Sequence, residues 1–83
     1  MVNETRENVK PWEAMRANVK IDKVWDGYEI STVDPWCKVG HLYVFNVYNN
    51  QVRWVSDYAH AKHYSKKYAE SLAKRIANGG VMV

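Results

Sequence analysis

The chain has 83 residues, 25% of them charged, 47% hydrophobic and 13% aromatic, enough for one small domain and too few for a second. That apolar content excludes a disordered chain, and no run approaches the roughly 20 apolar residues of a membrane span. The net charge of +3 hides an asymmetry, because residues 1–36 hold five Lys/Arg against seven Asp/Glu and residues 37–83 hold seven against two.

Residues 1–9 are expected to be a flexible lead, with no apolar run that a secretory signal would need. Pro11 suits a first helical position, where its missing N–H is no loss. Trp12, Met15 and Val19 then recur at i, i+3 and i+7, and the spacing predicts an amphipathic helix over 11–19. From Tyr28 the period becomes two, with Tyr28, Ile30 and Thr32 on one side and Glu29 and Ser31 on the other, as in a half-buried strand. Asp34-Pro35-Trp36 breaks the ladder, since proline donates no hydrogen bond.

His41 to Asp57 contains two β-rich runs around Asn49-Asn50, a pair that tolerates the positive φ of a tight hairpin turn. With a two-residue turn, Phe45 faces Trp54 and Val47 faces Val52 on the core side, while Asn46 faces Arg53 on the other. After Tyr58 to Tyr64 comes a second helix, with Ser65 as its N-cap and Asn78-Gly79-Gly80 as its stop. Tyr68, Leu72 and Ile76 with Ala69, Ala73 and Ala77 form its buried stripe, opposite Lys67, Ser71, Lys74 and Asn78. Val81–Val83 has the composition of a last short edge strand. The expected architecture is a single α+β domain spanning 1–83, of order α-β-β-β-α with that final β, its three-stranded antiparallel sheet carrying both helices on one face.

Cys37 and His41 are spaced C-x3-H, and His60 and His63 are spaced H-x2-H. Structural zinc sites favour paired cysteines, and here the histidines flank a helix start while the cysteine lies beyond a proline turn, so neither metal nor cofactor is expected. The lone Cys37 forms no internal disulfide, consistent with a reduced, cytoplasmic setting. Asp22, Asp26, Glu29 and Asp34 read as solvated surface, with no acid or base partner in the spacing. No glycine-rich phosphate loop and no nucleophile–base pair is visible, and the chain reads as a non-enzymatic binding module. Trp36, Tyr48 and Arg53, of residue types that dominate interface energetics, are the candidate contacts for a protein partner.

Trp54-Val55-Ser56-Asp57, Tyr64-Ser65-Lys66-Lys67-Tyr68-Ala69-Glu70 and Gly79-Gly80-Val81-Met82-Val83 together resemble a pattern in small accessory proteins of tailed phages and prophages. There a strand ends in an aromatic residue, an aromatic-Ser/Thr pair caps a helix, and a glycine turn leads to a terminal strand. The resemblance covers about residues 54–83 and implies a class: proteins that bind and modulate host nucleases, polymerases or defence complexes in the host cytoplasm. A second resemblance is to the double-stranded-RNA-binding domain, whose α-β-β-β-α order the predicted elements follow. His41 resembles its loop histidine and Ser65-Lys66-Lys67-Tyr68-Ala69 its helix start. That resemblance implies direct nucleic-acid contact by His41, Lys66 and Lys67, and the cations Lys74 and Arg75 would extend the same surface. Glu70, standing where a third lysine belongs, departs from that pattern.

Overall fold

The fold is known from a computed structural model, which describes residues 10–36 and 40–83. The expected flexible lead and Cys37, one member of the Cys/His set, lie outside the described residues. Four strands, β1 (Lys20–Val24), β2 (Gly27–Val33), β3 (His41–Tyr48) and β4 (Gln51–Val55), form one antiparallel sheet in the order β1-β2-β3-β4. Helices α1 (Pro11–Ala17) and α2 (Lys66–Ala77) complete an α+β fold, with a 3-10 turn at Tyr58–His60 between β4 and α2.

The sheet has one strand more than the three expected. β1 reads Lys-Ile-Asp-Lys-Val, and three charges in five residues mask its alternation. It forms because it is an edge strand whose Ile21 pairs with Ile30, and charge on such an edge also discourages pairing with other chains.

The core lies between the helices and one sheet face. Ile30, Val44 and Val52 meet Ala69, Leu72, Ile76 and Val81, with Ile21, Val47 and Trp54 packed around them. α1 closes one end of this core through Met15, and it stops at Ala17 rather than 19 because Asn18 folds back, its Nδ2 donating to the Ala14 carbonyl at 2.7 Å. Trp12, on the expected apolar stripe, is half exposed. Three long-range hydrogen bonds from two side chains seat the helices. Thr32 Oγ1 donates to the Met15 carbonyl at 2.6 Å, and Arg16 Nη1 donates to the carbonyls of Ile76 and Val81 at 3.2 and 3.0 Å. The guanidinium thereby neutralises the carbonyl end of α2, where a cation is electrostatically favoured.

The hairpin corrects the expected register. Asn49 and Asn50 do adopt positive φ, 52° and 60°, and Val47 pairs with Val52 and Asn46 with Arg53. Beyond them the ladder slips, so that Val44 rather than Phe45 faces Trp54. Phe45 is a bulge residue, 45% exposed, and not core. The bulge resolves a conflict in the sequence: Val44 and Val47 are three apart, and only an inserted residue lets both face the core along one strand.

Ser31, expected to face outward into solvent, is buried as completely as its neighbours Ile30 and Thr32. β2 is a central strand, and Ser31 stands between Lys20 of β1 and Tyr43 of β3.

α2 follows expectation at its caps and along Ala69, Leu72 and Ile76, but Tyr68 and Ala77, expected on the buried stripe, are exposed. Ser65 Oγ accepts from the Tyr68 amide at 3.2 Å, Ala69, Leu72 and Ile76 are buried, and Gly79 ends the helix with φ +83°. The terminal segment makes a single parallel bridge to β4 rather than a strand. The Val52 amide donates to the Met82 carbonyl at 2.8 Å and the Met82 amide to the Asn50 carbonyl at 2.9 Å.

One departure from a regular sheet positions the site. β2 and β3 pair only at Ser31–Val33 and then diverge. The chain leaving the 3-10 turn enters this split: the Lys62 amide donates to the Val44 carbonyl at 3.0 Å, and Tyr64 exchanges main-chain hydrogen bonds with Tyr28 at 2.8 and 2.7 Å. Residues 62–64 thus wedge the sheet open and bring His63 against the β1–β2 hairpin.

Candidate functional site

The β1–β2 hairpin turns at Trp25-Asp26, and Gly27 follows at φ +154°. A Cβ at Gly27 would stand 2.8 Å from the Tyr64 carbonyl oxygen, so the close approach of the wedge requires glycine. Held there, His63 lies between two carboxylates. Its Nδ1 is hydrogen-bonded to Asp26 Oδ1, and its Nε2 lies 3.6 Å from Glu29 Oε2. The two contacts use opposite ring nitrogens, so the three side chains do not converge on one point, and among the described residues no group of His, Cys, Asp and Glu is placed to hold a metal ion.

Above this cluster opens a cleft of about 280 Å³ lined by Val24, Trp25, Glu29, Tyr58, Ala59 and His63. The hairpin turn supplies Trp25 and the 3-10 turn supplies Tyr58, a turn fixed by Asp57, whose Oδ1 accepts from the Ala59 amide at 2.9 Å. Trp25 is 90% exposed and Tyr58 70%. A tryptophan carries roughly 150 to 250 Å² of surface, and a residue of this type left in water is the kind that dominates binding energy when a partner covers it. The floor is the reverse: the Glu29 side chain is only 12% exposed.

Glu29 therefore is not the solvated surface carboxylate expected from sequence, and neither is Asp34, which is 9% exposed and accepts at Oδ1 from the Trp36 amide at 3.0 Å. Near α2, burial pushes the Tyr64 hydroxyl above the ordinary tyrosine range, and neighbouring Tyr68, its ring centroid 4.8 Å away, adds to the shift.

The sequence-derived candidates fall into separate places. Tyr48 and Arg53 come together, the guanidinium 6.0 Å from the ring centroid, on the sheet face away from the helices. Trp36 is 63% exposed and lies just beyond β2, whereas Tyr48 ends β3 at its turn into β4. Lys66, Lys67, Lys74 and Arg75 are exposed on α2, where a shallow groove contains Lys67, Lys74 and Arg75 with Glu70 among them. His41, exposed, pairs with Val33 at the far end of β2 from Tyr28 and the α2 start, roughly 17 Å along the strand.

Sequence inspection missed the cleft because His63 and Asp26 are 37 residues apart. The one local signal was Trp25 in the turn Trp-Asp-Gly, a place where a large aromatic has nothing to pack on. No protein-family model, curated protein or solved structure matches the chain, and its function is read from this geometry.

Proposed function

We propose that this chain is a small non-enzymatic binding protein that acts by occupying the surface of a macromolecular partner. The observation that carries this reading is the pair Trp25 and Tyr58, presented almost fully to solvent on two turns around one cleft. Folding leaves such side chains exposed at a cost in solubility, and residues of this type supply most of the free energy of protein interfaces. The cleft lining contains no serine, cysteine or lysine to act as a nucleophile, and Asp26 occupies one ring nitrogen of His63, which favours recognition over reaction. The resemblance of residues 54–83 to phage accessory proteins suggests the partner class, a host protein or protein–nucleic-acid complex. Direct nucleic-acid binding is less well supported, because His41 stands apart from the α2 cations and Glu70 lies among them.

Capture from bacterial lysate on the immobilised chain, with and without nuclease, tests the reading. A discrete partner that survives nuclease and is lost with Trp25→Ala/Tyr58→Ala supports it. A partner released by nuclease and lost instead with Lys66→Glu/Lys67→Glu would replace it with the nucleic-acid reading.

A further inference from the structure

The cleft has a chemistry that narrows what it takes, on the premise that the chain is a binding protein. Its lining brings together the aromatic rings of Trp25 and Tyr58 with the side chain of Glu29. The Glu29 side chain is 12% exposed, and among the described residues only His63 reaches its carboxylate, at 3.6 Å, longer than a hydrogen bond. A carboxylate with unused acceptor capacity at the bottom of a cleft is available to a donor that enters it. Asp26 adds a second carboxylate to the same imidazole. Two carboxylates against one imidazole keep the cluster net negative whether or not His63 carries a proton. The chain as a whole is positive, at +3, so this is local negative charge on a cationic protein.

Aromatic faces attract cations through their quadrupole, and the attraction grows when the site is partly desolvated. A planar guanidinium stacks on an indole while donating two parallel hydrogen bonds to a carboxylate, which a compact ammonium does only as a point charge. We propose that the Trp25–Tyr58 cleft is a recognition pocket for an arginine side chain of the partner, stacked between the two rings and paired with Glu29. The volume of about 280 Å³ is that of one long side chain rather than of a folded ligand.

The test uses acetyl-arginine-methylamide and its neutral isostere acetyl-citrulline-methylamide, titrated into the ¹⁵N-labelled chain. The arginine probe is expected to shift the Trp25 indole N–H and the Gly27 and Ala59 amides saturably, with the millimolar affinity of a single side chain. Citrulline, equal in shape, is expected to shift none of them. Glu29→Gln, nearly isosteric, and Trp25→Leu, which keeps apolar bulk without a π-face, are each expected to weaken binding about tenfold. Equal binding of citrulline, or arginine binding unchanged in Glu29→Gln, overturns the assignment. If the arginine probe fails while Trp25→Ala/Tyr58→Ala still abolishes partner capture, the arginine pocket falls and the binding-protein reading stands. If capture is also indifferent to that variant, both fall.

Discussion

Tyr64 pairs with Tyr28 through both main-chain hydrogen bonds, at 2.8 and 2.7 Å, and so takes the place along β2 that β3 vacates. This one pairing holds the wedge that delivers His63 to the hairpin, and Gly27 lies directly beneath it. Gly27→Ala introduces a Cβ 2.8 Å from the Tyr64 carbonyl oxygen at a φ of +154°. Overpacking and backbone strain each cost about 1 to 3 kcal/mol, and a combined loss of about 2 to 4 kcal/mol is expected. Gly40→Ala meets no atom within 4 Å and serves as control, expected to change stability by less than about 0.5 kcal/mol. Urea denaturation of the two variants separates them, and equal midpoints would show that the wedge does not sit on Gly27.

Adjacent residues of β2 are expected to respond with opposite signs. Thr32 Oγ1 is fully engaged with the Met15 carbonyl, whereas Ser31 Oγ is buried with no partner among the described residues. Thr32→Val leaves that carbonyl without its donor and should cost about 1 to 3 kcal/mol. Ser31→Ala removes an unsatisfied hydroxyl and should gain about 0.5 to 2 kcal/mol. Calorimetry reads both, since 1 kcal/mol moves the midpoint of a domain this size by about 4 to 8 °C. A destabilised Ser31→Ala would mean that the hydroxyl has a partner.

The bulge in β3 makes a third prediction that the unslipped register contradicts. Val44 is fully buried opposite Trp54, and Phe45 is 45% exposed. Val44→Ala should therefore cost about 2 kcal/mol and Phe45→Ala under about 1 kcal/mol, despite the far larger side chain removed. The reverse order in denaturant midpoints would restore the regular hairpin.

Tyr64 predicts an alkaline transition. Its hydroxyl is pushed up mainly by burial and further by Tyr68, so the folded chain resists its ionisation and the unfolded chain does not. The neutral form contributes stability that is fully present below the unfolded value, about 10, and is lost as pH rises from there through the folded value. Stability measured between about pH 9 and 11 should fall, and Tyr64→Phe should make that fall shallower. An identical slope in the variant would assign the transition to other groups.

Local chemistry made part of this fold legible. Asn49-Asn50 announces a tight turn because asparagine accepts positive φ, Ser65 announces a helix start because its hydroxyl accepts from an amide three residues on, and Gly79 announces the helix end. Each is an interaction within a few residues, so the sequence states both partners together. β1 escaped notice because an edge strand can carry charges on both faces without disturbing the core, which removes the alternation by which strands are recognised.

The order of helical and strand periodicities by itself determined the α+β class, and the 3.6-residue stripe of α2 determined which of its faces is buried. Only the tertiary structure decided that Val44 displaces Phe45, that the chain after Tyr58 splits the sheet, and that Glu29 becomes the floor of a cleft rather than a surface charge. The reason is physical. Whether a side chain is core or surface in β3 depends on which register buries most apolar area against α2, and whether Glu29 is solvated depends on a segment more than thirty residues away. Those terms are sums over contacts between distant segments, and they take values only once the chain has closed on itself.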